Sequence, residues 1–304
     1  MPDAVPTPSG AGRFAPSPSG DLHVGNLRTA LLAWLFARST GRAFHLRMED
    51  LDRVAEGAAQ RQLDDLAALG LDWDSPVLWQ SQRRDAYRAA VDRLTAQDLV
   101  YPCFCTRREI QQAASAPHAP LGAYPGTCRA LAPRDVAARR AAGRPAALRL
   151  RAQVTTWTVQ DDLLGRWTGP VDDLVLRRAD GVPAYNLAVV VDDAFQGVDQ
   201  VVRGDDLLAS APRQAYLAQL LGLPAVRYAH APLALNAAGT RLAKRDGAVT
   251  LTDLRVLGHP AGEVLTMIAV SLELAEPGER VQLPDLLRRF DPVLLPRIPW
   301  TFAR

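Results

Sequence analysis

Arg13-Phe-Ala-Pro-Ser-Pro-Ser-Gly-Asp-Leu-His-Val-Gly-Asn26 is the stretch that decides how this chain is read. A short apolar strand runs into a Pro/Ser/Gly turn, and a helix then carries Leu27 to Arg38 and stops before Gly41. That unit is a candidate nucleotide site. Gly20 and Gly25 would let a ligand approach the backbone, the helix N-terminus offers unpaired N–H groups and a positive dipole end, and His23 stands where it can donate to the same oxygens. The plainer alternative is a loop joining a strand to a core helix.

Working outward, Ala43 to Asp50 alternates Phe44, Leu46 and Met48 with His45, Arg47 and Glu49, which predicts a strand with one polar side. Open α/β sheets place ligand groups at such strand ends, so Glu49 and Asp50 are candidates to face an ammonium group. Helices are predicted over Ala58 to Leu69, closed by Gly70, and over Gln82 to Asp98, with Tyr87, Val91 and Leu94 on one face. From Tyr101 to Leu174 the pattern loosens into cysteines, arginines and short strands such as Ala147 to Arg151, an insertion between two sheet halves. The sheet is expected to resume at Pro183 to Asp193, a nearly continuous apolar run that reads as a doubly buried strand. Gln200 to Leu208 again passes from strand to Gly turn to helix. Alternating strands and helices around an insertion predict an α/β fold, a doubly wound, mostly parallel sheet of Rossmann type.

A chain of 304 residues with 48% apolar side chains can bury a real core. No stretch approaches the roughly 20 apolar residues of a membrane helix, and the polar, Pro/Gly-rich residues 1–12 read as a flexible tail, so a cytoplasmic protein is expected. The net charge of +2 neither demands nor excludes a nucleic-acid partner. Nine arginines between Arg107 and Arg151 do concentrate positive charge, either to hold a phosphate backbone or as a solvated helix face.

Three cysteines do not suggest a disulfide scaffold. Cys103 and Cys105 form a Cys-x-Cys pair and Cys128 follows beside Pro125-Gly126, so a tetrahedral zinc site would need one further ligand. Ligand chemistry nominates His118 first and Tyr124 as the less usual choice; three scattered reduced thiols are the alternative. Near the end of the predicted sheet, Arg241-Leu-Ala-Lys-Arg245 lies in a polar loop. Lys244 is the only lysine among the 35 Lys+Arg of the chain, which suggests a need for a compact ammonium rather than a planar fork.

Arg-Phe-Ala-Pro-Ser-Pro-Ser-Gly-x-Leu-His-x-Gly-Asn resembles the first signature of class I aminoacyl-tRNA synthetases in the form used by the glutamyl and glutaminyl branch. His23-Val24-Gly25-Asn26 stands for that signature's His-Ile-Gly-His, with Asn26 replacing the last His. Arg241 to Arg245 resembles the second signature, Lys-Met-Ser-Lys-Ser, with Lys244 as its second lysine, Arg241 for the first and Ala243 for the serine. With the Cys-x-Cys insertion, Ala184-Tyr185 and Arg203 to Leu208, the likeness covers most of residues 13–250.

The resemblance implies activation of L-glutamate by ATP with Mg²⁺. Arg13, Ser17, Glu49, Tyr185 and Arg203 would bind glutamate, His23, Gly25, Asn26 and Lys244 would bind ATP, and His23 and Lys244 would serve the reacting phosphates. It also selects Tyr124 as the fourth ligand of a structural Zn²⁺ with Cys103, Cys105 and Cys128. Domains are expected at 13–100 and 175–255 for the two halves of the nucleotide-binding unit, at 101–174 for a zinc-bearing, acceptor-contacting insertion, and at 256–304 for a helical end piece. The end piece is too short for a large anticodon-binding region. A shortened member of the branch is therefore expected, monomeric and away from membranes, that attaches glutamate to the queuosine base of tRNA(Asp). Charging of a tRNA 3′ end, a non-catalytic RNA-binding role and adenylate chemistry on a small acceptor are the competing expectations.

Overall fold

The structure, a computed structural model, describes residues 10–106, 108–110, 124–242 and 249–302. His118, Arg107 and Lys244 lie outside the described residues.

The first half is β1 (Ala11–Phe14), α1 (Val24–Ser39), β2 (Ala43–Met48), α2 (Ala58–Ala68), β3 (Leu78–Trp79) and α3 (Arg84–Thr95). Next come β4 (Val100–Cys103), α4 (Pro133–Ala141), β5 (Ala147–Leu150), the hairpin of β6 (Thr156–Asp161) and β7 (Gly165–Pro170), and β8 (Val175–Arg177). The second half is α5 (Tyr185–Phe195), β9 (Gln200–Gly204), α6 (Ala211–Leu220), β10 (Arg227–Ala231) and β11 (Ala234–Leu235). The end piece is α7 (Leu251–Val256), α8 (Ala261–Val270), α9 (Leu283–Arg289) and β12 (Trp300–Thr301).

β1 pairs in parallel with β2 from Ala11↔Ala43 to Phe14↔Leu46, and β2 with β3. β9 pairs in parallel with β10, and β10 with β6 at Tyr228↔Asp161. The two sets meet where Ala11 bridges Val198 and the Asp199 amide donates to the Ala11 carbonyl at 3.1 Å. Strand order is thus β3-β2-β1, then β9-β10-β6-β7, and the order turns back beside β1, where such sheets open a crevice at the strands' carboxyl ends. Two residues of the stretch expected as a tail, Ala11 and Gly12, are held in β1 by their pairing with Ala43 and Phe44.

α1 is apolar nearly all round because it is covered on both sides, by β1, β2 and β9 and by α8 and α9. Its Leu27, Leu31 and Leu35 are fully buried in the largest apolar cluster. A second cluster lies under α3, α5 and α6, where Tyr87, Val91 and Leu94 turn inward as their spacing predicts.

One expected strand is a helix. Residues 183–193 read as a doubly buried strand, yet Tyr185–Phe195 is α5, packed on α3, α6 and β8. A run of that length exceeds a usual strand, and burial on several sides erases the periodicity that separates strand from helix. Helical winding also turns the adjacent Asp192 and Asp193 toward different neighbours. Asp192 accepts from Gln80, Arg83 and Tyr87, while Asp193 accepts from Arg13 and Arg47.

β4, β5 and β8 form a separate antiparallel sheet beside the cysteines, whereas the β6–β7 hairpin joins the edge of the parallel sheet. Several of the clustered arginines are committed to the fold here: Arg149 donates to the Asp173 carbonyl at 2.7 Å and Arg129 pairs with Asp173, whereas Arg134 and Arg140 stay exposed.

Candidate active site

His23 is the residue before the first turn of α1, in extended backbone, and it closes the helix end in both directions. Its Nδ1 accepts from the Asn26 amide at 3.2 Å, and the Asn26 Oδ1 accepts from the His23 amide at 3.2 Å. A neutral imidazole that accepts at Nδ1 carries its proton on Nε2. Asn26 therefore has a structural duty in place of charge. Packing alone already calls for glycine at position 25, since a Cβ there would stand 2.9 Å from the Ala234 Cβ and 3.1 Å from the His23 ring.

Leu242 and Val249, the described residues on either side of Lys244 in the sequence, both bond near this turn. The Leu242 amide donates to the Ala234 carbonyl at 3.0 Å, and the Val24 amide donates to the Val249 carbonyl at 2.8 Å. Arg241 pairs with Asp206 at 2.6 Å.

A cleft of about 650 Å³ opens at the carboxyl ends of β1, β2 and β9. Arg13, Ser17, His23, Gly25, Asn26, Glu49, Tyr185 and Arg203 all line it. Of the two carboxylates at the end of β2, Glu49 faces the cleft, but Asp50 accepts from the Ser81 amide at 2.8 Å and hydroxyl at 2.6 Å, so it is spent on the chain.

Beneath the cleft lies a charge cluster that the sequence reading did not contain. The Asp193 carboxylate accepts from Arg13 Nε at 3.2 Å and Arg47 at 2.8 Å, and Arg47 also approaches Glu49 at 3.5 Å. Arg47 is wholly buried. Burial works to raise the Asp193 carboxyl, but Arg47 and then Arg13 outweigh it and hold it below the usual carboxylate range. At Glu49 burial wins against the same two arginines and raises the carboxyl. A period of two places Arg47 on the same side of β2 as Glu49, a signal that was available in the sequence. Asp193 offered none once its segment had been taken for a strand.

Arg203 is 5% exposed and differs in kind from Arg13. It donates from Nε to His230 Nε2 at 3.0 Å, from one terminal nitrogen to Gln214 Oε1 at 2.7 Å and from the other to the Leu207 carbonyl at 3.2 Å. Every one of these acceptors is neutral, and among the described residues Arg203 has no ion pair. The cleft thus holds a desolvated cation to which no described residue supplies an ion-paired carboxylate. One N–H remains on each terminal nitrogen, a fork suited to a carboxylate.

The three thiols gather in the small-sheet region, with their sulfurs all within 4.8 Å of one another. Cys105 and Cys128 sulfurs are 3.5 Å apart. The Tyr124 hydroxyl stands among them, 3.2 Å from Cys103 Sγ and 3.7 Å from Cys105 Sγ, and accepts from the Cys128 amide at 2.9 Å. Spacings of this size match the edges of a tetrahedron about zinc with thiolate bonds of about 2.3 Å, so the donor set fits a metal. Burial pushes the Cys105 thiol up to about 11, with the nearby Cys128 and Cys103 sulfurs adding to the rise against the Tyr124 hydrogen bond.

A two-halved parallel sheet with a polar cleft at its switch point is the architecture of a nucleotide-binding α/β enzyme. The chain belongs to the tRNA synthetases class I (E and Q), whose catalytic-domain model it matches over residues 11–278. It is 68% identical over 296 residues to the glutamyl-Q tRNA(Asp) synthetase of Nocardia farcinica, which covers 97% of this chain and 94% of that one. It is 53% identical over 279 residues to the protein of the same name from Cutibacterium acnes, covering 89% of this chain and 79% of that one. Among solved structures, the glutamate tRNA ligase of Elizabethkingia meningosepticum, crystallised with its amino acid, superposes with a TM-score of 0.83 at 27% identity, over 96% of this chain and 67% of that one.

Proposed function

We propose that the chain activates L-glutamate with ATP as glutamyl-adenylate and transfers the glutamyl group to the queuosine base in the anticodon loop of tRNA(Asp). The observation that carries the amino-acid half is Arg203, a buried cation whose partners among the described residues are all neutral. A glutamate carboxylate would complete its charge, whereas a neutral side chain would leave it bare. Arg13 and Ser17 would hold the other polar end, Glu49 would pair with the ammonium, and Tyr185 would cover the cleft. A bound ammonium would also add a third positive charge to the two that already draw Glu49 toward ionisation.

In the activation step the substrate's own carboxylate oxygen bonds to the α-phosphorus of ATP and pyrophosphate leaves, so no protein nucleophile is needed. The protein's work is alignment and charge stabilisation. His23 and the first turn of α1, with Gly25 and Asn26, would receive the phosphates, and Lys244 would supply the mobile ammonium. Mg²⁺ arriving with ATP would share the phosphate charge. Cys103, Cys105, Cys128 and Tyr124 would hold a structural Zn²⁺ that shapes the 101–174 insertion as the acceptor-contacting unit. The names and high coverage of the two bacterial relatives support the tRNA(Asp) acceptor.

Labelled glutamate offered with ATP to tRNA(Asp) with and without queuosine, to tRNA(Glu), and to no tRNA tests the reading. Label on queuosine-containing tRNA(Asp) alone is expected. Label on tRNA(Glu) would make the chain a minimal glutamyl-tRNA synthetase, and pyrophosphate exchange with neither acceptor labelled would overturn the RNA step.

A further inference from the structure

Arg203 takes its orientation from a buried line of residues that ends far from the cleft. His230 on β10 is 1% exposed, and its Nδ1 lies 2.6 Å from the Asp161 carboxylate at the end of β6, itself 1% exposed. Arg203 Nε can only donate, so His230 Nε2 must accept, and the imidazole is neutral with its proton on Nδ1, directed at Asp161. The rest of the Asp161 carboxylate is fixed as well: Oδ1 accepts from the Leu163 and Leu164 amides at 2.9 Å each, and Oδ2 also accepts from the His230 amide at 3.2 Å. Tyr228 braces the pair, stacked on the His230 ring at 5.6 Å and beneath the Arg203 guanidinium at 5.2 Å.

We infer that His230 and Asp161 are positioning residues for amino-acid selection: Asp161 locks the His230 tautomer, and His230 thereby anchors Arg203 through a neutral acceptor that leaves its whole positive charge for the substrate's carboxylate. An acidic residue at 230 would anchor Arg203 equally well and cancel that charge. A protonated His230 would present a second donor to Arg203 and lose the anchor; the shift that burial first, and then Arg203, impose on His230 runs toward the neutral form, against the pull of Asp161. The inference rests on the proposed role of Arg203 in glutamate binding.

Three variants test it in glutamate-dependent ATP–pyrophosphate exchange, with Arg203→Leu as the control for the underlying reading. His230→Leu removes the acceptor. The KM for glutamate is expected to rise by about 10–100-fold, the range for a lost buried hydrogen bond to a charged group, with the KM for ATP within about twofold. His230→Gln restores an amide oxygen toward Arg203 and an N–H toward Asp161, and should recover most of that loss. In Asp161→Asn the amide oxygen is drawn to the Leu163 and Leu164 N–H groups, which turns its NH₂ toward Nδ1. The His230 proton should then move to Nε2, read as a change of tautomer in the ¹⁵N spectrum of the imidazole, with a rise in glutamate KM of about tenfold or more.

A glutamate KM within twofold of the parent for His230→Leu, or an equal loss for Leu and Gln, would overturn the inference. So would an Asp161→Asn protein with an unmoved tautomer or an unmoved glutamate KM. Should His230→Leu fail to fold, Asp161→Asn and His230→Gln decide the matter between them. If Arg203→Leu leaves the glutamate KM intact, the reading of Arg203 itself fails; if it raises KM while the other three variants do not, only the His230–Asp161 role fails.

Discussion

Asp193→Asn removes the one carboxylate shared by two buried arginines and should cost about 3–5 kcal/mol of stability, the range for breaking a buried ion pair from one side. The arithmetic starts from contacts of 3.2 Å to Arg13 and 2.8 Å to Arg47. With charge centres about 4 Å apart and an effective dielectric near 20, each pair contributes roughly 4 kcal/mol of gross attraction. Two such pairs exceed the net figure because the variant no longer has to desolvate an ionised Asp193, a cost of several kcal/mol. Glu49 then becomes the one carboxylate in ion-pair range of Arg47 among the described residues, with Asp192 acting on that arginine from further off. It also loses the repulsion from Asp193 that helps to raise it, so it should ionise more readily and recover part of the loss. At roughly 2.1 cal/mol/K of unfolding entropy per residue, a chain of 304 residues would lose about 5–8 °C in Tm. Differential scanning calorimetry at pH 7.5 measures it. A Tm within 2 °C of the parent, a margin of roughly 1 kcal/mol on the same scale, would mean that water or side-chain rearrangement neutralises the arginines and that the cluster does not hold β1, β2 and α5 together as argued.

Two further outcomes follow from groups elsewhere in the fold. Burial first, and then repulsion from Asp21, push the half-buried Asp65 carboxyl up to about 6, so the native state binds this proton more tightly than the unfolded chain. The stabilisation is present below about pH 4 and is lost as pH rises to about 6; Asp65→Asn should therefore gain stability over the parent above pH 6, by about 1 kcal/mol after discounting for solvent screening, and nothing below pH 4. Urea midpoints at pH 4 and 8 check this, and a gain of equal size at both would refute it. Cys128→Ser takes one thiolate from the proposed zinc set; zinc per chain by plasma emission should fall from near one to well below half, and unchanged content would remove Cys128 from the site.

Reading the sequence located the cleft well because its motif is local. Strand, turn and helix lie within Arg13 to Arg38, and the residues assigned there share one wall of the cavity. The α5 segment was misread because an apolar run buried on several sides carries no period, and with it went Asp193, the hub of the charge cluster. Asp50 and Glu49 are neighbours of the same chemical type, and the bonds that Ser81, about thirty residues on, makes to Asp50 are what commit it to the chain. His230 and Asp161 were invisible for a similar reason. Their partnership spans 69 residues and depends on a hairpin of the insertion docking against β10, which no spacing rule encodes.

The seam between the sheet halves also has a consequence for how the chain is made. Ala11 and the Asp199 side chain that accepts its amide are separated by 188 residues. At a synthesis rate of about 5–20 residues per second, β1 emerges about 10–40 s before its second neighbour exists. During that interval β1–β2–β3 presents an open, apolar parallel edge, the type of surface that recruits other chains. Shelter of the first hundred residues on the ribosome is therefore expected to matter for the yield of folded chain, and slower translation would lengthen the exposure.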